Sequence, residues 1–179
     1  MTDLYFYGIT PTIDNITFLD YPEPVGHALS IFFTGCEHHC SECQNPELQK
    51  HGLVKDKIPF LSFVTLFKEL LTRLRTNKCV LLGGDPLDNQ NKEFTKALIE
   101  HYPEVDFCVY TGYSLNSLTE PYVRQAKYVK TGVYDLHLKQ KSEKTGSYFS
   151  LASSNQKLYK REGNKFILIS KNGRADYAD

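Results

Sequence analysis

The sequence lacks an excess of charge of either sign, and it lacks a long apolar run. Its 21 Lys and Arg residues balance 21 Asp and Glu residues, and these charges are scattered along the chain. This pattern argues against a nucleic-acid-binding surface, because binding to a polyanion needs a concentrated basic patch. No apolar run approaches the roughly 20 residues that a membrane span requires, so we expect no membrane segment.

Cysteine is also scarce, with five in 179 residues, and no apolar signal segment opens the chain. An odd number of cysteines and the missing signal argue against secretion with paired disulfides. We therefore expect a cytoplasmic location, where thiols stay reduced and free to bind metal. The length fits one domain with a substantial core, but a closed eight-unit β/α barrel needs about 250 residues.

Three of the five cysteines lie close together in the segment TGCEHHCSECQNP. Cys36, Cys40 and Cys43 form a C-x3-C-x2-C array that one tight loop can turn toward a common point, as an iron–sulfur cluster requires. Three ligands leave one iron of a 4Fe-4S cluster open, and a substrate or cosubstrate can bind there. The same cysteines with His38 or His39 would also suit a structural Cys3His zinc site, so the array alone allows either metal centre.

The rest of the chain alternates predicted strands and helices. Short apolar runs predict strands at 27–33, 79–82, 105–110, 128–130 and 165–169. Helices are predicted at 58–75, 89–100 and 118–126, the first from apolar residues that recur at three- and four-residue steps. This alternation predicts an α/β fold with a mostly parallel sheet. Outside it we expect an N-terminal extension at 1–20, a loop at 149–156 and a flexible polar tail at 171–179.

Further polar and glycine residues follow the predicted strands. Gly83, Gly84 and Asp85 stand between a strand and a helix, where glycines allow a ligand to approach the backbone closely. The alternative is an ordinary connection in which Asp85 caps the helix. Thr111 and Lys130 end the next two strands. Thr111 could instead belong to an ordinary strand-end turn, and Lys130 could equally be a solvated surface lysine. In open α/β folds sites form beyond the carboxyl ends of parallel strands, so we expect these residues near the cysteine loop.

In this order, the cysteine array and the glycine turn at 83–85 resemble the two signatures of radical S-adenosylmethionine (SAM) enzymes. They are most similar to those of the small activating proteins of anaerobic ribonucleotide reductase. The resemblance covers roughly 21–169 and includes 152–156, ASSNQ, which looks like a late motif of those activators. It departs at Glu42, where the family usually has an aromatic or apolar residue before the last cysteine.

The resemblance implies that 1–179 forms a single radical SAM domain, a partial (open) β/α barrel. The three cysteines would hold a 4Fe-4S cluster whose open iron binds SAM, with the methionine part near 83–85, Thr111 and Lys130. In the family an electron from the cluster cleaves SAM, and the 5'-deoxyadenosyl radical that forms abstracts a hydrogen atom. No catalytic side chain beyond the cluster ligands is implied.

The resemblance implies that the protein is an activase that generates a glycyl radical on a large partner. Anaerobic ribonucleoside-triphosphate reductase is the first choice of partner, and a reduced flavodoxin-type protein is the expected electron donor. A chain this short has little room to enclose a substrate, which favours a site that a partner completes. Two alternatives stay open: a short radical SAM enzyme acting on a small molecule, such as a 7-deazapurine synthase, and a non-catalytic zinc-binding interaction module.

Overall fold

The computed structural model describes residues 4–17, 20–24, 27–52, 57–140 and 148–177. The strands in these residues are β1 (Tyr5–Phe6), β2 (Ile16–Thr17), β3 (Ala28–Phe33), β4 (Ile58–Pro59), β5 (Lys78–Gly83), β6 (Asp106–Tyr110), β7 (Tyr128–Thr131), β8 (Tyr148–Ser150), β9 (Lys157–Glu162), β10 (Lys165–Leu168) and β11 (Arg174–Asp176). The α-helices are α1 (Phe60–Leu74) and α2 (Lys92–His101). Short 3-10 turns lie at Pro46–Leu48, Leu115–Ser117, Pro121–Gln125 and Leu136–Leu138.

Seven of these strands form one mixed sheet in the order β10-β9-β7-β6-β5-β3-β2. The four central strands β7, β6, β5 and β3 are parallel, whereas β2, β9 and β10 pair with their neighbours in antiparallel fashion. The carboxyl ends of the parallel strands therefore lie along one edge, as required for a site shared by their loops. The predicted α/β class and the parallel centre are confirmed. The described sheet is open and forms no closed barrel, so a partial barrel of the radical SAM type stays a prediction.

The two faces of the sheet are covered differently. Helices α1 and α2 pack on one face, where the Phe6 ring lies 4.7 Å from that of Phe63 and 5.4 Å from that of Phe94 between ring centroids. The other face carries a second apolar cluster, to which the small β8–β11 pair contributes Phe149 and Ala175. Both faces are thus buried, as expected for a sheet whose central strands are continuous apolar runs. None of the described helices has the length and apolar character needed to cross a membrane.

The structure corrects the predicted helices. Helix α1 begins at Phe60 rather than at 58, because Ile58–Pro59 pairs with β1. It ends at Leu74, since the next residue adopts a left-handed conformation with a φ of 50°. The helix predicted at 118–126 is wrong: the structure has only the five-residue 3-10 turn Pro121–Gln125 there, flanked by extended backbone on both sides. Tertiary packing of Tyr122 and Val123, which are buried, outweighs the weak helical pattern of this short segment.

The carboxyl-terminal part of the chain is more ordered than its composition indicates. The loop predicted at 149–156 begins within β8, whose Phe149 is buried in the second apolar cluster. The segment expected to form a flexible tail, 171–179, contains β11, which pairs with β8 and buries Ala175. Alternation of polar and apolar residues over so few positions is too short a signal to distinguish such strands from loops.

Candidate functional site

A cavity of about 620 Å³ lies where the loops after the four central strands meet. All the residues predicted from the sequence to form the site line this cavity: Cys36, Cys40, Cys43, Gly83, Gly84, Asp85, Thr111 and Lys130. They converge because β3, β5, β6 and β7 are parallel neighbours whose ends share one edge of the sheet.

The cysteines lie in a loop that is closed at its base. The Gly35 N–H donates to Leu48 O at 2.8 Å, and the Cys36 N–H donates to Gln49 O at 3.0 Å. All three thiols are free, with Cys36 buried and the other two partly buried. Burial raises the pKa of the Cys36 thiol to about 11. A bound metal centre would reverse this preference, because a coordinating thiol is deprotonated.

The donor set, three free thiols of one loop, fits an iron–sulfur cluster, whose irons bind cysteine thiolates. Within the described part of the chain, no group of three or more Cys, His, Asp or Glu side chains could hold one metal ion. A cubane cluster needs no such group, because each cysteine binds a different iron and the ligands stand further apart. His38, one candidate for a fourth zinc ligand, directs Nε2 to a carboxylate instead, and the other candidate, His39, is exposed.

The Asp85 carboxylate accepts four hydrogen bonds at the cavity, and the residue is only 1% exposed. Its Oδ1 accepts the Leu87 N–H at 2.8 Å in a local Asx-type turn. Asp85 is therefore not the helix cap that the alternative required, because α2 begins at Lys92 after Asn91. Its Oδ2 accepts the Thr111 hydroxyl and the Gly112 N–H, both at 2.9 Å. Oδ2 also accepts Nε2–H of His38 at 3.0 Å. One side chain therefore joins the turns after β5 and β6 to the cysteine loop.

Sequence reasoning missed this role of His38, which it considered only as a zinc ligand. Its hydrogen bond to Asp85 raises the pKa of the imidazole against the opposing effect of burial. The ring also packs edge-on against Tyr113, with 4.5 Å between ring centroids, and the Tyr113 hydroxyl donates to the Glu37 carboxylate. The position of His38 between two cysteines of the array was the one sequence signal for such a role. Its partner Asp85 could not be inferred from that signal, because it lies 47 positions away in the chain.

The glycines at the end of β5 are required by the backbone of β3 and of the cysteine loop. A Cβ at Gly84 would stand 2.4 Å from Gly35 O and 2.8 Å from Leu48 O. At Gly83 the φ is 107°, and a Cβ would stand 2.6 Å from Phe33 O. The sequence predicted close approach of a ligand here. The structure adds close approach of the loop backbone, which any side chain would obstruct.

A polar segment between β5 and α2 holds the ends of the cysteine loop, and this segment was also missed. The Asn91 amide donates to Thr34 O at 2.9 Å and to Asp85 O at 2.8 Å. The Gln90 amide donates to Thr34 O at 2.9 Å, and its oxygen accepts the Gly52 N–H at 2.8 Å. The loop is therefore fixed at both ends. The bonds to Thr34 O are buried or half-buried, which rigidifies a site when they are satisfied, whereas the bond at Gly52 is exposed.

Lys130 supplies positive charge at the far wall of the cavity. Burial lowers the pKa of its ammonium group to about 8. The Nζ atom lies 5.1 Å from the centroid of the Tyr110 ring, a favourable cation–π distance. A desolvated cation at this position can attract a carboxylate more strongly than an exposed lysine would.

The motif at 152–156 supports the turn after β7. Ser153 is fully buried, and its hydroxyl accepts the Asp135 N–H at 3.3 Å. The Gln156 amide donates to Gly132 O at 3.1 Å, and its oxygen accepts the Ser153 N–H at 3.2 Å. Glu42 has a φ of 51°, is exposed and does not line the cavity. The position that departs from the resemblance therefore lies outside the cavity wall.

Comparison with known proteins first defines a class. Residues 24–159 match the family described as "4Fe-4S single cluster domain", and the chain belongs to this family. The family description names one 4Fe-4S cluster, in agreement with the cysteine array and with the cavity that it lines.

The names of the relatives are more specific than the family description: each relative is an anaerobic ribonucleoside-triphosphate reductase-activating protein. The relative from Haemophilus influenzae is 31% identical over 108 residues, which cover 55% of this chain and 68% of the relative. That from Enterobacteria phage T4 is 30% identical over 146 residues, 75% of this chain and 88% of the relative. The relative from Escherichia coli K12 is 31% identical over 100 residues, which cover 52% of this chain and 63% of the relative. No solved structure matches the chain.

Proposed function

We propose that this protein is a radical SAM activase that generates a glycyl radical on anaerobic ribonucleotide reductase. One observation carries the proposal: the three free thiols, the glycine turn, Thr111 and Lys130 line a single cavity at the carboxyl edge of the parallel strands. The names of the relatives support the choice of partner. The open sheet is consistent with the partial barrel that this proposal includes.

In this proposal Cys36, Cys40 and Cys43 hold the cluster and leave one iron open for SAM. The cluster would supply one electron that cleaves SAM to methionine and 5'-deoxyadenosine, the latter carrying the hydrogen atom taken from a glycine Cα of the partner. A reduced flavodoxin-type protein would restore that electron. The chain itself binds, orients and shelters these groups, and a volume of about 620 Å³ is within the usual range for small-molecule sites.

The walls of the cavity offer complementary charges to the methionine part of SAM. Lys130 presents a cation suited to the carboxylate, and the turn ending in Asp85 presents negative charge and backbone carbonyls suited to the amine. Thr111 supplies a hydroxyl on the strand between them, where it already fixes Asp85. Asp85 follows β5 and Lys130 lies on β7, with β6 between them, and both residues line the cavity. We therefore expect the methionine zwitterion to bind both.

The decisive experiment is anaerobic reconstitution followed by mixing with SAM, a reductant and the reductase. We expect iron and sulfide for one cubane cluster per chain and a glycyl radical doublet in the electron paramagnetic resonance (EPR) spectrum. Cys43→Ser should give no doublet, while Cys79→Ala, a buried core position, should keep it. Stoichiometric zinc without sulfide would contradict the proposal, and SAM cleavage with turnover of a small nucleotide precursor but no doublet would favour the small-molecule alternative.

A further inference from the structure

We propose that His38 is a positioning residue that sets the cysteine loop against the turns that receive SAM. The inference deepens the proposed function and rests on it. His38 lies between Cys36 and Cys40, and its side chain is 14% exposed. Its Nε2–H donates to Asp85 Oδ2 at 3.0 Å, so the ring faces the turn after β5.

Gly112 forms a socket for this ring. A Cβ at Gly112 would stand 2.3 Å from Cδ2 and 2.6 Å from Nε2 of His38. The backbone of Gly112 is outside the left-handed region, so its φ does not require glycine. The absence of a side chain at this position is therefore explained by the imidazole that occupies the space, and Tyr113 closes the socket with its ring.

The contact acts on the part of the loop that carries the cysteines. The base of the loop is held by backbone bonds, such as that from the Asp85 N–H to Gly35 O at 2.8 Å. Beyond the base, His38 binds Asp85 and the neighbouring Glu37 binds Tyr113. These contacts determine how far the thiols stand from the turns after β5 and β6. If the loop moved even slightly, SAM bound at the cluster would be misplaced relative to the groups of these turns that hold it.

Removal of His38 should leave the fold intact. Asp85 Oδ2 keeps the Thr111 hydroxyl and the Gly112 N–H as donors, so no buried carboxylate is left without a partner. The expected loss is therefore specific to the placement of the loop, which is measurable as SAM affinity of the cluster-loaded protein.

The experiment compares His38→Ala, His38→Gln, Gly112→Ala and the double variant His38→Ala/Gly112→Ala, all reconstituted anaerobically. SAM is titrated while the EPR signal of the reduced cluster is followed, and iron, sulfide and thermal unfolding are measured in parallel. His38→Ala should keep the cluster and bind SAM about tenfold more weakly, the loss expected for one hydrogen bond to a charged group. His38→Gln should recover most of this affinity, because its amide can replace the Nε2–H donor.

Gly112→Ala should resemble His38→Ala, since the new methyl group displaces the ring. In the double variant the truncated side chain leaves room for that methyl group, so it should bind SAM no more weakly than His38→Ala alone. His39→Asn is the matched control: His39 is exposed with a φ of 47°, which Asn tolerates, and its SAM affinity should equal that of the wild type.

Unchanged SAM affinity in His38→Ala would overturn the inference. Additive losses in the double variant would do the same, because they would show that Gly112 acts independently of His38. A lower unfolding temperature without a change in SAM affinity would assign His38 a merely structural role and also refute it. If the wild type itself fails to assemble a cluster or to bind SAM, the proposed function fails, and the inference fails with it.

Discussion

Asn91 offers a test of the polar segment that holds the cysteine loop. The side chain is 1% exposed, and its amide nitrogen donates to both Thr34 O and Asp85 O. Asn91→Ala removes both bonds, each worth about 0.5–1.5 kcal/mol net. Both carbonyls keep another donor, Gln90 Nε2 for Thr34 and the Asp88 N–H for Asp85, so neither is left unsatisfied. The free energy of unfolding should therefore fall by about 1–2 kcal/mol, toward the lower half of the summed range.

For a chain of this size that loss corresponds to a Tm lower by roughly 2–8 °C. The assay is thermal unfolding of the metal-free protein under anaerobic conditions, so that metal binding does not add to stability. Asn91→Asp should be worse than Asn91→Ala, because it places carboxylate oxygens against two carbonyl oxygens in a buried position. The matched control is Asn89→Ala at an exposed position two residues earlier, with little change expected.

The ranking of the variants decides the outcome. If Asn91→Asp unfolds at or above the temperature of Asn91→Ala, the two donor bonds do not contribute as the geometry requires. The account of how the loop is fixed at its base would then be refuted. Cluster reconstitution in Asn91→Ala should be slower but should reach the wild-type iron content, because all three cysteines remain.

Three further predictions follow. Serine at any cysteine of the array should abolish the cluster, whereas Cys108→Ala, in the core, should retain full iron content by chemical analysis. Lys130→Met should raise the SAM dissociation constant by about tenfold in an equilibrium titration, with iron content unchanged; an unaltered constant would exclude this lysine from binding. Burial opposes ionisation of Glu23, but its two lysine partners outweigh burial and hold its pKa below the ordinary value of 4.5. A carboxylate whose pKa is lowered on folding stabilises the fold at pH values above its ordinary pKa of 4.5. This stabilisation is lost as the pH falls through the lower pKa of the folded state. Glu23→Gln should thus show less loss of stability below about pH 4.5 than the wild type, whereas the exposed control Glu69→Gln should follow the wild-type profile in acid-unfolding experiments.

The sequence by itself determined which candidate ligands are present and their order along the chain. The spacing of the three cysteines is a covalent property of one loop, and runs of apolar residues ending in glycine or polar residues mark strand ends locally. Because parallel strands bring those ends to one edge, the residues at 83–85, Thr111 and Lys130 could be expected near the cysteines, and they line the same cavity. The short segments 118–126 and 149–156 gave too little periodicity for such an inference.

Only the tertiary structure decided which groups within the site contact one another. The contacts of His38 with Asp85 and Gly112, and of Asn91 with Thr34, join residues 47 to 74 positions apart or on different strand-end loops. No local pattern encodes these pairs, because they depend on which strands are neighbours and on how closely their turns approach. The same is true of Gly84, whose missing side chain is explained by a carbonyl of the cysteine loop 2.4 Å from where a Cβ would be. Local spacing thus determines which ligands are available, and chain packing determines where they are held.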